Sequence, residues 1–130
     1  IKEASGDISY VAQCARLVDS GFCLLSGNDD SVVPLLSLGG SGVISVLANV
    51  APQQTHDMVQ SFLDGDTARS RDLQLSLLPL INALFIETNP VPVKRAMEMI
   101  GFNCGACRLP LGPMDEKNAE TLRRSLEVLK

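Results

Sequence analysis

Short apolar runs and helix-like spacings of apolar residues alternate along the first half of the chain. A continuous apolar run closed by Ser26-Gly27 predicts a buried strand, because serine and glycine bound such runs in folded proteins. Apolar residues three and four positions apart predict amphipathic helices, which begin at capping residues such as Asp7 and end at glycine. The predicted elements are a strand end at the first residues, a helix from Asp7 to Gly21, a strand at 22–25, a helix at 31–38, a strand at 43–47 and a helix from Pro52 to Gly65.

This alternation of strands and helices is typical of the α/β class. Parallel strands in that class are joined by right-handed helical crossovers. The predicted strands are near-continuous apolar runs, and this pattern predicts a parallel sheet that is covered on both faces.

No further strand is predicted after Asp66. Leucines recur at helical spacing from residue 73 to residue 84, a helix that ends near Gly101 follows the proline-rich turn 89–92, and Asp115 caps a last helix. The charge balance changes at the same point, since residues 1–65 carry two basic and seven acidic side chains and residues 66–130 carry nine and eight.

Three parallel strands are too few to form a complete fold, because they leave two open edges and a half-covered core. An eight-stranded βα barrel needs roughly 250 residues, about twice the 130 residues of this chain. The first residues, Ile1 to Ala4, also include none of the residues that usually form a turn before a strand, as though the chain began inside a strand. We therefore expect residues 1–65 to be the last strands and helices of a parallel βα (TIM) barrel, and residues 66–130 to be a C-terminal helical domain.

Composition limits the partners and the compartment. The net charge is −4 and no basic stripe is present, so a nucleic-acid partner is not expected. The longest apolar runs are shorter than the ~20 residues of a membrane span, and no cationic, hydrophobic leader opens the chain. Four cysteines are too few for a disulfide scaffold. These features predict a cytoplasmic protein that does not associate with membranes.

Several segments of the chain resemble dihydrodipicolinate synthases, a family of pyruvate-dependent class I aldolases. The segments are Ile1-Lys2-Glu3-Ala4-Ser5-Gly6, Leu25-Ser26-Gly27-Asn28-Asp29, Gly40-Ser41-Gly42-Val43-Ile44-Ser45-Val46, Glu87-Thr88-Asn89-Pro90-Val91-Pro92-Val93-Lys94 and Arg108-Leu109-Pro110-Leu111. The resemblance covers essentially the whole chain in order and corresponds to the C-terminal half of the enzyme, from its sixth barrel strand. The segment 89–94 favours the synthase over its sialic-acid lyase and sugar-acid aldolase relatives.

The resemblance implies a lyase that condenses pyruvate with aspartate semialdehyde in lysine and diaminopimelate biosynthesis. Lys2 falls on the lysine that forms the Schiff base with pyruvate, and neither a cofactor nor a metal is implied. A homotetramer is the usual assembly. The paired threonines, tyrosine and arginine of the family's site, and most of its lysine-feedback site, are implied to lie in the N-terminal half of the barrel, outside this chain.

Two alternatives stay open at this point. The first is another pyruvate-dependent aldolase, such as a sialic-acid or keto-sugar-acid lyase. The second is a non-catalytic half that is active only together with its missing upstream part. About 160 further residues before Ile1 in the gene, as the barrel's length requires, would favour a complete enzyme.

Three residues are candidates for the site. Lys2 is the expected nucleophile; a lysine with that role must lose its proton near neutral pH, which requires burial or a nearby positive charge. Ile44 and Gly27 are expected to contact the substrate, Ile44 through its backbone carbonyl as the resemblance implies, while Gly27 is also expected to form a tight turn. Glu3 is expected on the opposite face from Lys2, in a salt bridge.

Other motifs are interpreted as structural. Cys104 and Cys107 have the spacing of a zinc or redox pair, but Cys14 and Cys23 do not supply a second pair, so surface thiols are expected. The glycine-rich stretch 39–42 follows a helix and precedes a strand, the reverse of a dinucleotide-binding loop, and is interpreted as a helix stop. His56 is expected on an exposed helix face.

Overall fold

The computed structural model describes residues 1–129, and Lys130 lies outside them. Within that range the chain forms three short strands and six α-helices. In chain order they are β1 (Lys2–Glu3), α1 (Ile8–Ala15), β2 (Leu25–Ser26), α2 (Val32–Ser37), β3 (Gly42–Val43), α3 (Pro52–Leu63), α4 (Thr67–Leu84), α5 (Val91–Met99) and α6 (Glu116–Ser125). Single 3₁₀ turns occupy Asp29–Ser31, Leu47–Asn49 and Leu126–Leu129.

The three strands form one parallel sheet in the order β1-β2-β3. Lys2 lies opposite Leu25, which in turn lies opposite Gly42. The predicted α/β class and the parallel pairing are therefore confirmed. The strands are shorter than predicted: the run 22–25 pairs only at its end, and the run 43–47 leaves the sheet after Val43 because its last residue begins a 3₁₀ turn.

The helices cover only one face of the sheet. Glu3, Leu24 and Ser26 point to that face and are buried, and Val43 packs there against the cluster formed by Val32, Leu36 and Met58. On the opposite face Lys2 is exposed, and Ile44, just after β3, is 48% exposed. The expectation that both faces are covered is therefore wrong for this chain. The helices pack on one face only, and apolar residues of the same runs, such as Ile44, are left exposed on the other face.

The largest apolar cluster draws residues from both halves of the chain. It includes Leu47 and Ala51 near the end of the sheet region, together with Leu80, Leu84 and Leu122 from the later helices. Since α3 and α4 also pack against each other, the core is continuous across residue 65. The division into a barrel part and a helical domain at that residue stays a prediction.

Capping residues explain where the helices begin. The Asp7 carboxylate accepts hydrogen bonds from the backbone N–H groups of Ser9 and Tyr10, and the Asp115 carboxylate does the same for Lys117 and Asn118. Both caps were predicted from the sequence. Helix α1 ends at Ala15, however, six residues before the predicted Gly21.

Candidate functional site

The three candidate site residues lie on, or directly after, the three short parallel strands. Lys2 is on β1, Gly27 directly follows β2, and Ile44 directly follows β3. Backbone hydrogen bonds hold this arrangement: Gly27 N donates to Glu3 O over 2.6 Å, and Ile44 N donates to Ser26 O over 2.8 Å. The carboxyl ends of parallel strands are where βα barrels carry their active sites, so this edge is the candidate active site.

Lys2 and Gly27 are in direct contact. A Cβ atom built on Gly27 would lie 2.9 Å from Lys2 Cε and 2.5 Å from Ala4 Cβ. Both distances are shorter than carbon atoms tolerate without a shift of the structure. The chain bends at Gly27, but its φ is not positive, so the bend does not require glycine; the space that Lys2 and Ala4 occupy does.

Glu3 lies on the other face of β1 from Lys2, as strand alternation predicts. Its side chain is 5% exposed, and one carboxylate oxygen accepts a hydrogen bond from Ser5 N over 2.6 Å. The bond ties the first residues after β1 to the strand. The expected salt bridge is wrong, since among residues 1–129 Glu3 bonds a backbone amide and forms no ion pair. The Glu3 carboxylate therefore lies on the opposite face of the sheet from the Lys2 side chain.

Ile44 is exposed toward the same uncovered face as Lys2. Its neighbour Val43 pairs with Ser26 and packs against the helices, so alternation turns the Ile44 side chain to the opposite side. The backbone of Ile44 is joined to the sheet by the hydrogen bond to Ser26.

Sequence reasoning missed one residue at this edge, Asp29. It begins the 3₁₀ turn after β2, and its carboxylate accepts hydrogen bonds from Val46 N over 2.9 Å and from Leu47 N over 3.0 Å. Its side chain is 1% exposed, and the oxygen Oδ1 has no hydrogen-bond partner among the described residues. The polar run Asn28-Asp29-Asp30 directly after a predicted strand is the signal that the sequence offers for it.

The rival motifs form no metal-binding cluster in the part of the chain that the structure describes. Cys104 is exposed, Cys107 is half-buried, and both are free thiols. Within residues 1–129 no three His, Cys, Asp or Glu side chains are placed to hold a metal ion. His56 is exposed on α3, as predicted, beside Asp57. None of the described helices is long and apolar enough to cross a membrane.

The sequence profile of the Dihydrodipicolinate synthetase family matches residues 1–129. The chain belongs to this family. It is 59% identical over 126 residues to a 4-hydroxy-tetrahydrodipicolinate synthase of Caldicellulosiruptor bescii, a match that covers 97% of this chain and 42% of that protein. It is 57% identical over 127 residues to 4-hydroxy-tetrahydrodipicolinate synthase 1 of Clostridium acetobutylicum, covering 98% of this chain and 43% of that protein.

Solved structures of the dihydrodipicolinate synthetase family share the fold of this chain. The crystal structure of dihydrodipicolinate synthase from Thermotoga maritima matches it with a TM-score of 0.94 and 45% identity, over 98% of this chain and 44% of that one. A structure described as the first monomeric dihydrodipicolinate synthase variant matches with a TM-score of 0.94 and 42% identity, over 99% and 44%. The chain thus spans less than half the length of these relatives.

Proposed function

We propose that this chain is the C-terminal part of a parallel βα barrel, followed by a helical domain. Together with the segment that completes the barrel, it forms a lyase that condenses pyruvate with aspartate semialdehyde in lysine and diaminopimelate biosynthesis. The observation that carries the proposal is Lys2 on β1, with its side chain close to Gly27, in a chain 59% identical to a 4-hydroxy-tetrahydrodipicolinate synthase.

Lys2 acts as the nucleophile in the proposed reaction. Its Nζ atom attacks the ketone carbon of pyruvate, and loss of water gives an imine whose positive nitrogen withdraws electrons from the adjacent methyl carbon. Removal of a methyl proton gives an enamine, which adds through carbon to the aldehyde of aspartate semialdehyde. Water or the amine of the adduct then displaces Lys2. The iminium supplies the electron withdrawal that a metal ion supplies in other aldolases, so the reaction needs no metal.

Gly27 and Ile44 form the rest of the pyruvate site in this chain. Gly27 leaves room for the Lys2 side chain beside the strand, and the Ile44 backbone carbonyl contacts bound pyruvate on the same uncovered face. The close approach of Gly27 to Lys2 Cε supports the first role. The placement of Ile44 at the end of the neighbouring strand supports the second.

The site requires a second segment of protein to cover it. Lys2 is exposed in this chain, and a nucleophilic lysine needs an environment that removes water from its amine. Strands that complete the barrel would cover the open sheet face and bring the remaining groups that bind pyruvate and the aldehyde. The four free thiols fit the cytoplasmic location that we propose. The proposal also includes a homo-oligomer of complete subunits.

Trapping of the imine tests the proposed chemistry. The intact protein, made of this chain and the segment that completes the barrel, is incubated with pyruvate, reduced with borohydride and digested for mass spectrometry. We expect the adduct on the peptide that contains Lys2. Lys94 donates a hydrogen bond to Ala106 O, and Lys117 is exposed on α6, so neither lies on the sheet as Lys2 does. Both are expected to stay unlabelled. The same is expected of Lys130, which is outside the described residues.

Matched variants separate the imine from a general effect of charge. Lys2→Arg keeps the positive charge but cannot form an imine under these conditions, so it is expected to abolish both the adduct and turnover. Lys117→Arg makes the same exchange on α6 and is expected to preserve both. Labelling at another lysine, or full activity of Lys2→Arg, contradicts the proposal, and preferred turnover of a sialic acid or keto-sugar acid would replace the substrate assignment.

A further inference from the structure

The carboxylate of Asp29 connects the ends of β2 and β3. Its Oδ2 atom accepts hydrogen bonds from Val46 N and Leu47 N, which are 17 and 18 positions later in the chain. These N–H groups open the 3₁₀ turn Leu47–Asn49, and N–H groups at such a position have no partner inside the turn. A charged acceptor makes stronger hydrogen bonds than a neutral one, above all in a buried position.

These bonds hold the backbone on both sides of Ile44. On the N-terminal side, Ile44 N donates to Ser26 O in the sheet over 2.8 Å. On the C-terminal side, only Ser45 separates Ile44 from Val46, the first of the two residues whose amides bind Asp29. The Ser45 hydroxyl accepts a hydrogen bond from Ala48 N over 2.8 Å. The peptide group that contains the Ile44 carbonyl is therefore placed between two fixed points.

Asp29 itself is out of reach of a substrate. Its side chain is 1% exposed, so any influence on the reaction passes through the backbone that it binds. Its neighbour Asp30 has the same chemistry in the same 3₁₀ turn but is exposed to solvent. The two residues thus form a natural pair in which only one carboxylate contacts the Ile44 loop.

The geometry points to Asp29 as a positioning residue that sets the Ile44 carbonyl for pyruvate, an inference that rests on the proposed function. Removal of the carboxylate frees the loop 44–47 and moves the carbonyl away from bound pyruvate. The aldehyde substrate, which the Ile44 carbonyl does not contact in the proposed site, is affected less. Asp29 therefore acts on the first half-reaction, the formation of the imine.

Gln74 extends this arrangement to α4. Its side chain is 5% exposed; Nε2 donates to Asp29 O over 2.8 Å, and Oε1 accepts a hydrogen bond from Val33 N over 3.2 Å. Gln74 thus fixes the backbone of Asp29 from a helix in the second half of the chain. A change at Gln74 is expected to act in the same direction as a change at Asp29, with a smaller size.

Steady-state kinetics of the intact protein test this role. In Asp29→Ala we expect the KM for pyruvate to rise by roughly tenfold or more, which corresponds to the loss of charged hydrogen bonds. The rate of borohydride-trapped imine formation falls in parallel, and the KM for aspartate semialdehyde changes by less than about a third of that factor. Asp29→Asn retains an acceptor oxygen and is expected to restore much of the pyruvate affinity.

Control variants distinguish positioning from stability. Asp30→Ala and Asp30→Asn are expected to leave both KM values unchanged, and Gln74→Met gives an intermediate rise for pyruvate alone. Equal changes in both KM values, in proportion to a lower melting temperature, would assign Asp29 a purely structural role and overturn the inference. If Asp29→Ala does not fold, Gln74→Met decides the question, since a rise in the KM for pyruvate without an equal rise in the KM for aspartate semialdehyde supports positioning and equal rises overturn it. Absence of the Lys2 adduct in the unmodified protein, by contrast, refutes the proposed function itself.

Discussion

The side chain of Lys2 occupies space that a Cβ atom on residue 27 would need. The two residues come from neighbouring parallel strands, and the contact between Lys2 Cε and a Cβ at Gly27 would measure 2.9 Å. The strand pairing fixes this closeness, because Gly27 N donates to Glu3 O over 2.6 Å. The residue that follows β2 thus limits where the side chain of Lys2 on β1 can lie.

Replacement of Gly27 by alanine tests this limit. The added methyl group also lies 2.5 Å from Ala4 Cβ and 3.0 Å from Glu3 O, so either β1 and β2 separate or Lys2 moves. We expect Gly27→Ala to lower the rate of imine trapping by more than about tenfold, since small displacements of a reacting group reduce rates strongly. Mass-spectrometric trapping with pyruvate and borohydride measures this rate.

Gly112→Ala is the matched control for this substitution. Gly112 lies in the loop before α6, does not have a positive φ, and offers open space to a Cβ atom. It is expected to change neither trapping nor stability. A Gly27→Ala protein that traps pyruvate at the normal rate would show that the contact does not constrain Lys2.

Glu120 on α6 predicts a small dependence of stability on pH. Hydrogen bonds from Arg124, and then from Arg123, lower the pKa of Glu120 below its ordinary value of 4.5. A group whose pKa is lowered in the folded state stabilises the protein above its unfolded pKa, and this contribution is lost as the pH falls through the folded value. The destabilising effect of Glu120→Gln on the intact protein is therefore expected at pH 7, and it is lost progressively as the pH falls below about 4.5, the ordinary pKa of this group, and through the lower pKa of the folded protein.

Salt provides the control for the Glu120 prediction. The ion pairs are exposed at the surface, where counterions screen them. Thermal melts at low and at about 1 M salt are expected to show the difference between the two proteins only at low salt and neutral pH. A difference that persists in acid would mean that Glu120 stabilises α6 through packing instead of charge.

The sequence was sufficient for the class of the fold and for the parallel arrangement of its strands. Continuous apolar runs separated by capped helices predict parallel strands, and the carboxyl ends of parallel strands lie on one side of the sheet, where Gly27 and Ile44 follow β2 and β3. The reason for Gly27 could not be predicted, because it depends on the Lys2 side chain of another strand and not on the local φ angle.

The polar residues after β2 are visible in the sequence, but the hydrogen-bond partners of Asp29 are not. Its partners Val46 and Leu47 are 17 and 18 positions away, and they are backbone groups that no residue type announces. The predicted length of β3 was wrong for a related reason. The run from Val43 to Leu47 is apolar apart from Ser45, but the amides of Val46 and Leu47 donate to Asp29, and a 3₁₀ turn begins at Leu47.

The uncovered sheet face predicts the behaviour of this chain in isolation. Ile1 is 52% exposed and Ile44 is 48% exposed on or beside that face, and β1 and β3 are open edges within the described residues. Exposed apolar surface and open strand edges favour association. We expect the isolated 130-residue chain to be aggregated or poorly folded in size-exclusion chromatography and thermal melts, and co-expression with the segment that completes the barrel to give a soluble complex that traps pyruvate at Lys2. A monodisperse monomer with one sharp, cooperative transition would contradict the partial-barrel proposal, because such a chain would have to cover its own sheet.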